Sequence, residues 1–134
     1  MIEPLQIIEE TDAEISIVWS DDALDIYGMS LADRRPFPIA IGDRNRVLLD
    51  LDGGIAVWLE IKERGCSFCE LEIRGKDLST GRDFVLGTAT AEYSYSSIAI
   101  SGGWAIWANV SKTGYQLVAR NVYTMEPARV VTTQ

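Results

Sequence analysis

The chain has 134 residues, 47% of them hydrophobic, with 20 acidic and 12 basic side chains for a formal charge of -8, a size that fits one domain (residues 1–134) around one core. The acidic excess argues against direct binding of nucleic acid or of an anionic membrane, since both need clustered cations. No stretch approaches the roughly 20 consecutive apolar residues of a membrane-crossing helix, and Met1-Ile2-Glu3-Pro4 lacks the basic start of a secretory signal, so a cytoplasmic protein is expected.

The charge is concentrated at the start. Between Met1 and Asp33 lie nine acidic residues and no Lys or Arg, whereas eleven acidic residues stand against twelve basic ones from Arg34 onward. Such a local field favours encounter with a basic surface, which makes Glu9, Glu10, Asp12, Glu14, Asp21, Asp22 and Asp25 candidate partner-binding carboxylates. The plainer reading is a solvated face that serves solubility. In the same stretch Ser20 precedes Asp21 and Asp22, and Leu24, Tyr27 and Leu31 follow at helical spacing. This predicts one short helix near residues 21–32, although Gly28 weakens it. Arg34-Arg35-Pro36-Phe37-Pro38 then predicts an ordered extended loop, because two prolines remove amide donors and hold their neighbours extended.

From Val47 onward the apolar period becomes two, as in strands with one buried and one wet face. Ile55, Val57, Leu59 and Ile61 alternate with Ala56, Trp58, Glu60 and Lys62, and Cys69, Leu71 and Ile73 alternate with Glu70, Glu72 and Arg74. Between Arg82 and Tyr95, Ala89, Ala91, Tyr93 and Tyr95 fall on one face, with a bulge or bend expected at Gly87. Trp104 to Val110 and Tyr115 to Met125 complete the set, rich in the β-branched and aromatic residues that strands prefer. Asp52-Gly53-Gly54, Ser101-Gly102-Gly103 and Lys112-Thr113-Gly114 supply the hairpin turns. No internal repeat at solenoid or propeller spacing is evident. The expected fold is mainly β, a single antiparallel barrel or sandwich of about seven to nine strands.

The chain has no histidine, which removes the usual general base and the commonest metal ligand. Val47-Leu48-Leu49-Asp50-Leu51-Asp52-Gly53-Gly54 resembles the first motif of haloacid dehalogenase-like phosphatases. The resemblance implies Asp50 as nucleophile, Asp52 as general acid and base, and Mg²⁺ between them. It covers about eight residues and departs from the family at Gly54, where Thr or Val is usual. The family needs a parallel sheet with crossover helices, whereas Ile55 to Lys62 alternates like a returning hairpin strand, which predicts an Asp-Gly turn instead. Asp50, Asp52 and Glu60 are also too few, and wrongly flanked, for a calcium loop.

Cys66-Ser67-Phe68-Cys69 holds the only cysteines, weak candidates for a metal site or a disulfide shared with a second copy; the plainer expectation is two packed thiols. Tyr93, Tyr95, Trp104, Trp107, Tyr115 and Tyr123 cluster late in the chain. Trp58 and Trp107 sit on the more polar faces of their strands, which makes them the candidate exposed anchors. The expected function is a non-catalytic binding protein that occludes a basic partner surface without a cofactor, as a monomer or homodimer. An immunity protein or a phage-type inhibitor of a nucleic-acid-handling protein would fit that description. A structural or assembly subunit and a small-ligand-binding barrel are the alternatives.

Overall fold

A computed structural model describes residues 6–10, 15–20, 25–30, 32, 34–42, 45–61, 68–92, 97–111 and 114–133. These residues form twelve strands and no helix: β1 (Gln6–Glu10), β2 (Ile15–Ser20), β3 (Ile26–Ser30), β4 (Phe37–Ala40), β5 (Asn45–Asp52), β6 (Ile55–Ile61), β7 (Phe68–Asp77), β8 (Asp83–Glu92), β9 (Ile98–Ser101), β10 (Trp104–Ser111), β11 (Gly114–Asn121) and β12 (Arg129–Thr133). The antiparallel all-β class follows the alternation in the sequence. The strand number exceeds the expected seven to nine, because the acidic opening also pairs as strands.

Pairing runs in chain order but stops after β4 and again after β8, giving three separate four-stranded meanders and no closed barrel among the described residues. Their first strands β1, β5 and β9 lie side by side. The expected absence of an internal repeat is therefore corrected, since one unit recurs three times. Two of its turns are near copies. Asp52-Gly53-Gly54-Ile55-Ala56-Val57-Trp58 and Ser101-Gly102-Gly103-Trp104-Ala105-Ile106-Trp107 match in pattern, and their glycine pairs adopt φ of 59° and 75° against 57° and 85°. Two consecutive positive φ values make the tight turn whose twist suits a hairpin, and glycine reaches them without strain. The likeness is carried by small and interchangeable apolar residues, so little of it stands out as a repeat in one sequence.

The helix expected near residues 21–32 is also corrected, since Ile26–Ser30 is a strand paired on both sides. Ile26 is buried against the middle sheet, and Gly28 is held so tightly beside β4 that an added Cβ would lie 2.9 Å from side-chain carbons of Ile39 and Phe37. Contact with β4 overrides the helical spacing of Leu24, Tyr27 and Leu31, the ends of which lie outside the described residues.

The middle sheet is covered on both faces. Ile55, Val57, Leu59, Leu71, Ile73 and Leu86 pack against Ile100, Ala105, Trp107 and Val122 of the third sheet. On the other side Leu49, Leu51, Ala56 and Trp58 pack against Val18, Ile26 and Ile39 of the first sheet. Residues 55–60 of β6 are consequently all buried, so the face read as wet is an inter-sheet interface. The bend expected at Gly87 coincides with a register shift where Ile73 pairs with Gly87 and Arg74 with Val85. A Cβ at Gly87 would lie 3.0 Å from the Trp107 ring, so the glycine also admits that side chain.

The turn from β7 to β8 contains the group with a clear acid response. Burial alone would raise the Asp77 carboxyl, but donors from the Ser79 hydroxyl and amide at 2.7 and 2.9 Å, the Thr80 amide and the charge of Arg82 outweigh it and hold the group below the usual carboxylate value. A depressed folded value contributes stability that is complete above the unfolded value of about 3.9 and is lost as pH falls through the folded one. Asp77→Asn should therefore lower the urea midpoint at neutral pH, and the gap to the parent should shrink as pH falls below about 4. A gap of constant size across that window would contradict this.

Candidate functional site

The largest concentration of buried charge lies between the first two sheets. Arg46 on β5 stands directly opposite Glu60 on β6, and both are almost fully buried, 6% and 3% exposed. Arg46 Nε donates to Glu60 Oε1 at 2.9 Å, its Nη2 donates to the Ile41 carbonyl at 2.9 Å, and its Nη1 faces Asp25 Oδ1 at 3.4 Å. Arg74 on β7 donates from Nη1 to the second oxygen of Glu60 at 3.2 Å and to Glu72 at 3.4 Å. Asp25 also accepts from the Gly42 amide at 3.1 Å. The cluster therefore ties the chain before β3 and after β4 to the middle sheet.

A cleft of about 470 Å³ opens above it, lined among others by Ile39, Ala40, Trp58, Arg74 and Asp83. Both Glu60 oxygens are engaged by guanidinium groups. Arg46 was not marked by the sequence, and Glu60 entered as a candidate only in the rejected calcium loop. The hairpin register is displaced by one residue between Val47 and Leu49, and without knowledge of that bulge the turn does not set Arg46 opposite Glu60. The Trp58 indole Nε1 is buried and has no hydrogen-bond partner.

The two aspartates of the phosphatase-like motif meet backbone amides of the third sheet. Asp50 Oδ2 accepts from the Ile100 amide at 2.9 Å and Asp52 Oδ2 from the Gly102 amide at 2.9 Å, so the two carboxylates fasten β5 to β9 and to the turn that follows it. The motif lies on an antiparallel hairpin, as the turn reading expected, and among the described residues no parallel crossover lies beside it. Asp50→Ala should leave the Ile100 amide without its acceptor and lower stability by about 1–3 kcal/mol in a urea titration. No loss at all would show that the contact does not hold the sheets together.

Trp58 and Trp107 are each only 2% exposed, which overturns their expected place on open faces. Trp58 lies under the first sheet and Trp107 against the middle sheet, and Glu60, which made the face of Trp58 look polar, is itself buried between sheets. Asp25, one of the candidate partner carboxylates, instead pairs internally with Arg46. The side chains of Glu9 and Glu10, and all of Asp12, Glu14, Asp21, Asp22 and Cys66, lie outside the described residues. So does the side chain of Cys69 in β7. Among the described residues no three His, Cys, Asp or Glu side chains converge on a point that could hold a metal ion. No helix there is long and apolar enough to cross a membrane.

No protein-family model matches the chain, and no curated protein matches its sequence. Among solved structures it is similar to an oligogalacturonate lyase in complex with manganese, with a TM-score of 0.59 and 12% identity over 89% of this chain and 38% of that one. An oligogalacturonate lyase from Vibrio parahaemolyticus gives a TM-score of 0.43 and 9% identity over 89% of this chain and 50% of that one. The chain thus spans half or less of the length of these proteins. What it shares with the first of them is the arrangement of strands.

Proposed function

We propose that this chain is a non-catalytic binding protein, built as a run of propeller-type sheets, which covers the surface of a basic protein partner. Three successive four-stranded meanders with adjacent first strands support a propeller-type arrangement over a closed barrel or a two-sheet sandwich. The observation that carries the functional reading is the use of the chemistry-bearing residues. Asp50 and Asp52 bind backbone amides, and Asp25, Arg46, Glu60 and Arg74 pair with one another between the first two sheets. These groups join sheet to sheet, and the feature that supports a partner is the acidic opening segment, whose nine carboxylates stand without a Lys or Arg among them in the sequence.

Carboxylates concentrated there steer a basic groove into contact and pair with its Lys and Arg. An immunity protein, or an inhibitor of a nucleic-acid-handling protein, has a partner of this kind. Capture from a cell extract should be run with the parent and with a variant carrying Glu9→Gln, Glu10→Gln, Asp12→Asn and Glu14→Gln. The parent should retain a basic protein that the variant loses, with both chains equally folded by circular dichroism. Retention of the same proteins by both would contradict the reading.

A further inference from the structure

The repeated unit allows the two end faces of the stack to be compared with faces already covered. In the middle sheet Ile55 and Val57 point toward the third sheet and are 2% and 0% exposed. Trp104 and Ile106 hold the same places in the matching segment of the third sheet, on the face turned away from Trp107 and the middle sheet. There they are 38% and 39% exposed. The residue types are those of a buried sheet interface, and among the described residues no further sheet covers them.

The opposite end is open in the complementary sense. Trp58 and Trp107, on the second strands of their sheets, each point back toward the preceding sheet and are buried by it. Trp19 is on the second strand of the first sheet. Its neighbour Val18 packs on the middle sheet, so Trp19 points the other way, where it stacks on Tyr27 with ring centroids 6.1 Å apart and stays partly exposed. One end thus presents the kind of face that receives a following sheet, and the other presents the tryptophan face that packs on a preceding one.

We propose that two copies of this chain associate head to tail. The Trp104 and Ile106 face of one copy receives the Trp19 and Tyr27 face of the other, at both junctions. Head-to-tail contacts either close into a ring or grow without end, according to the rotation at each junction. Rings of four-stranded sheets close at about four to eight members. The three sheets of the described residues fall short of that range, and two copies of them bring the ring within it. Trp19 and Tyr27 fall within the acidic opening stretch, but self-association of this kind rests on their rings and on Trp104 and Ile106, not on the carboxylates that the partner proposed above would meet, so the two are tested by different variants.

The test is sedimentation equilibrium of the purified chain over a wide concentration range, with two variants. The parent should have twice the 14.8 kDa chain mass. Ile106→Glu and Trp19→Glu, one on each face, should each be monomeric with unchanged circular dichroism. An equal mixture of the two should regain part of the dimer, because the intact first-sheet face of one variant meets the intact third-sheet face of the other. Trp104→Glu serves as a second change on the same face as Ile106. A monomeric parent would overturn the proposal and leave the end faces to a different protein or to further sheets. A mass that keeps rising with concentration, or a dimer that survives both changes, would overturn it equally.

Discussion

Glu60→Ala should lower the free energy of unfolding by about 3 kcal/mol, the low end of the cost of removing one partner from a buried ion pair. Glu60 is 3% exposed and divides its two oxygens between Arg46 at 2.9 Å and Arg74 at 3.2 Å. Its loss leaves the guanidinium of Arg46, itself 6% exposed, facing an emptied space. Asp25 at 3.4 Å and the Ile41 carbonyl remain as partners, which is why the higher end of that range is not expected. Arg74 is less buried and can turn toward water, so the cost falls mainly on Arg46. Replacing Arg46 and Glu60 together by Met and Leu should recover much of the loss, because a well-packed apolar pair removes both desolvated charges. Urea titrations of the single and double variants measure this. A single-variant loss below about 1 kcal/mol would place the pair with ordinary surface ion pairs and contradict its anchoring of the first sheet.

Trp107→Ala should cost about 3–5 kcal/mol, the range for emptying a large aromatic site in a core. The ring is 2% exposed and belongs to the cluster formed by the middle and third sheets. Its Nε1 is buried without a hydrogen-bond partner, so Trp107→Phe should cost less than the loss of ring volume alone would suggest. The close approach of Gly87 to the ring gives a sharper test. Gly87→Val should be strongly destabilising in the parent, where it drives a side chain into the indole, and much less so beside Trp107→Ala, where the cavity can hold it. Additive losses in that cycle would mean that the two residues do not meet.

The strand class was legible because Ile55 to Ile61 and Leu71 to Arg74 alternate over their whole length, and the glycine pairs after Asp52 and Ser101 mark their turns. The division into three sheets was not legible, since it depends on where pairing stops, and neither Ala40 nor Glu92 carries a signal for that. Alternation also cannot show what covers the second face of a strand. Trp58 beside Glu60 reads as a wet face until a sheet is laid over it, and Trp107 is misread for the same reason. Asp50 and Asp52 were legible as a turn but not as acceptors for Ile100 and Gly102, which lie 50 residues further along the chain. The Arg46 and Glu60 pair was hidden by a single bulge. In each case the missing information was non-local.

Binding through an electrostatically steered outer surface is tested most directly by the association rate with the captured basic protein as salt is varied. Steering by the acidic opening predicts a rate that falls steeply between about 10 mM and 0.5 M salt, as the screening length contracts below the span of the charged segment. The four-carboxylate variant should show a lower rate at low salt and converge on the parent at high salt. A rate that is the same at every ionic strength, and the same for parent and variant, would contradict the account.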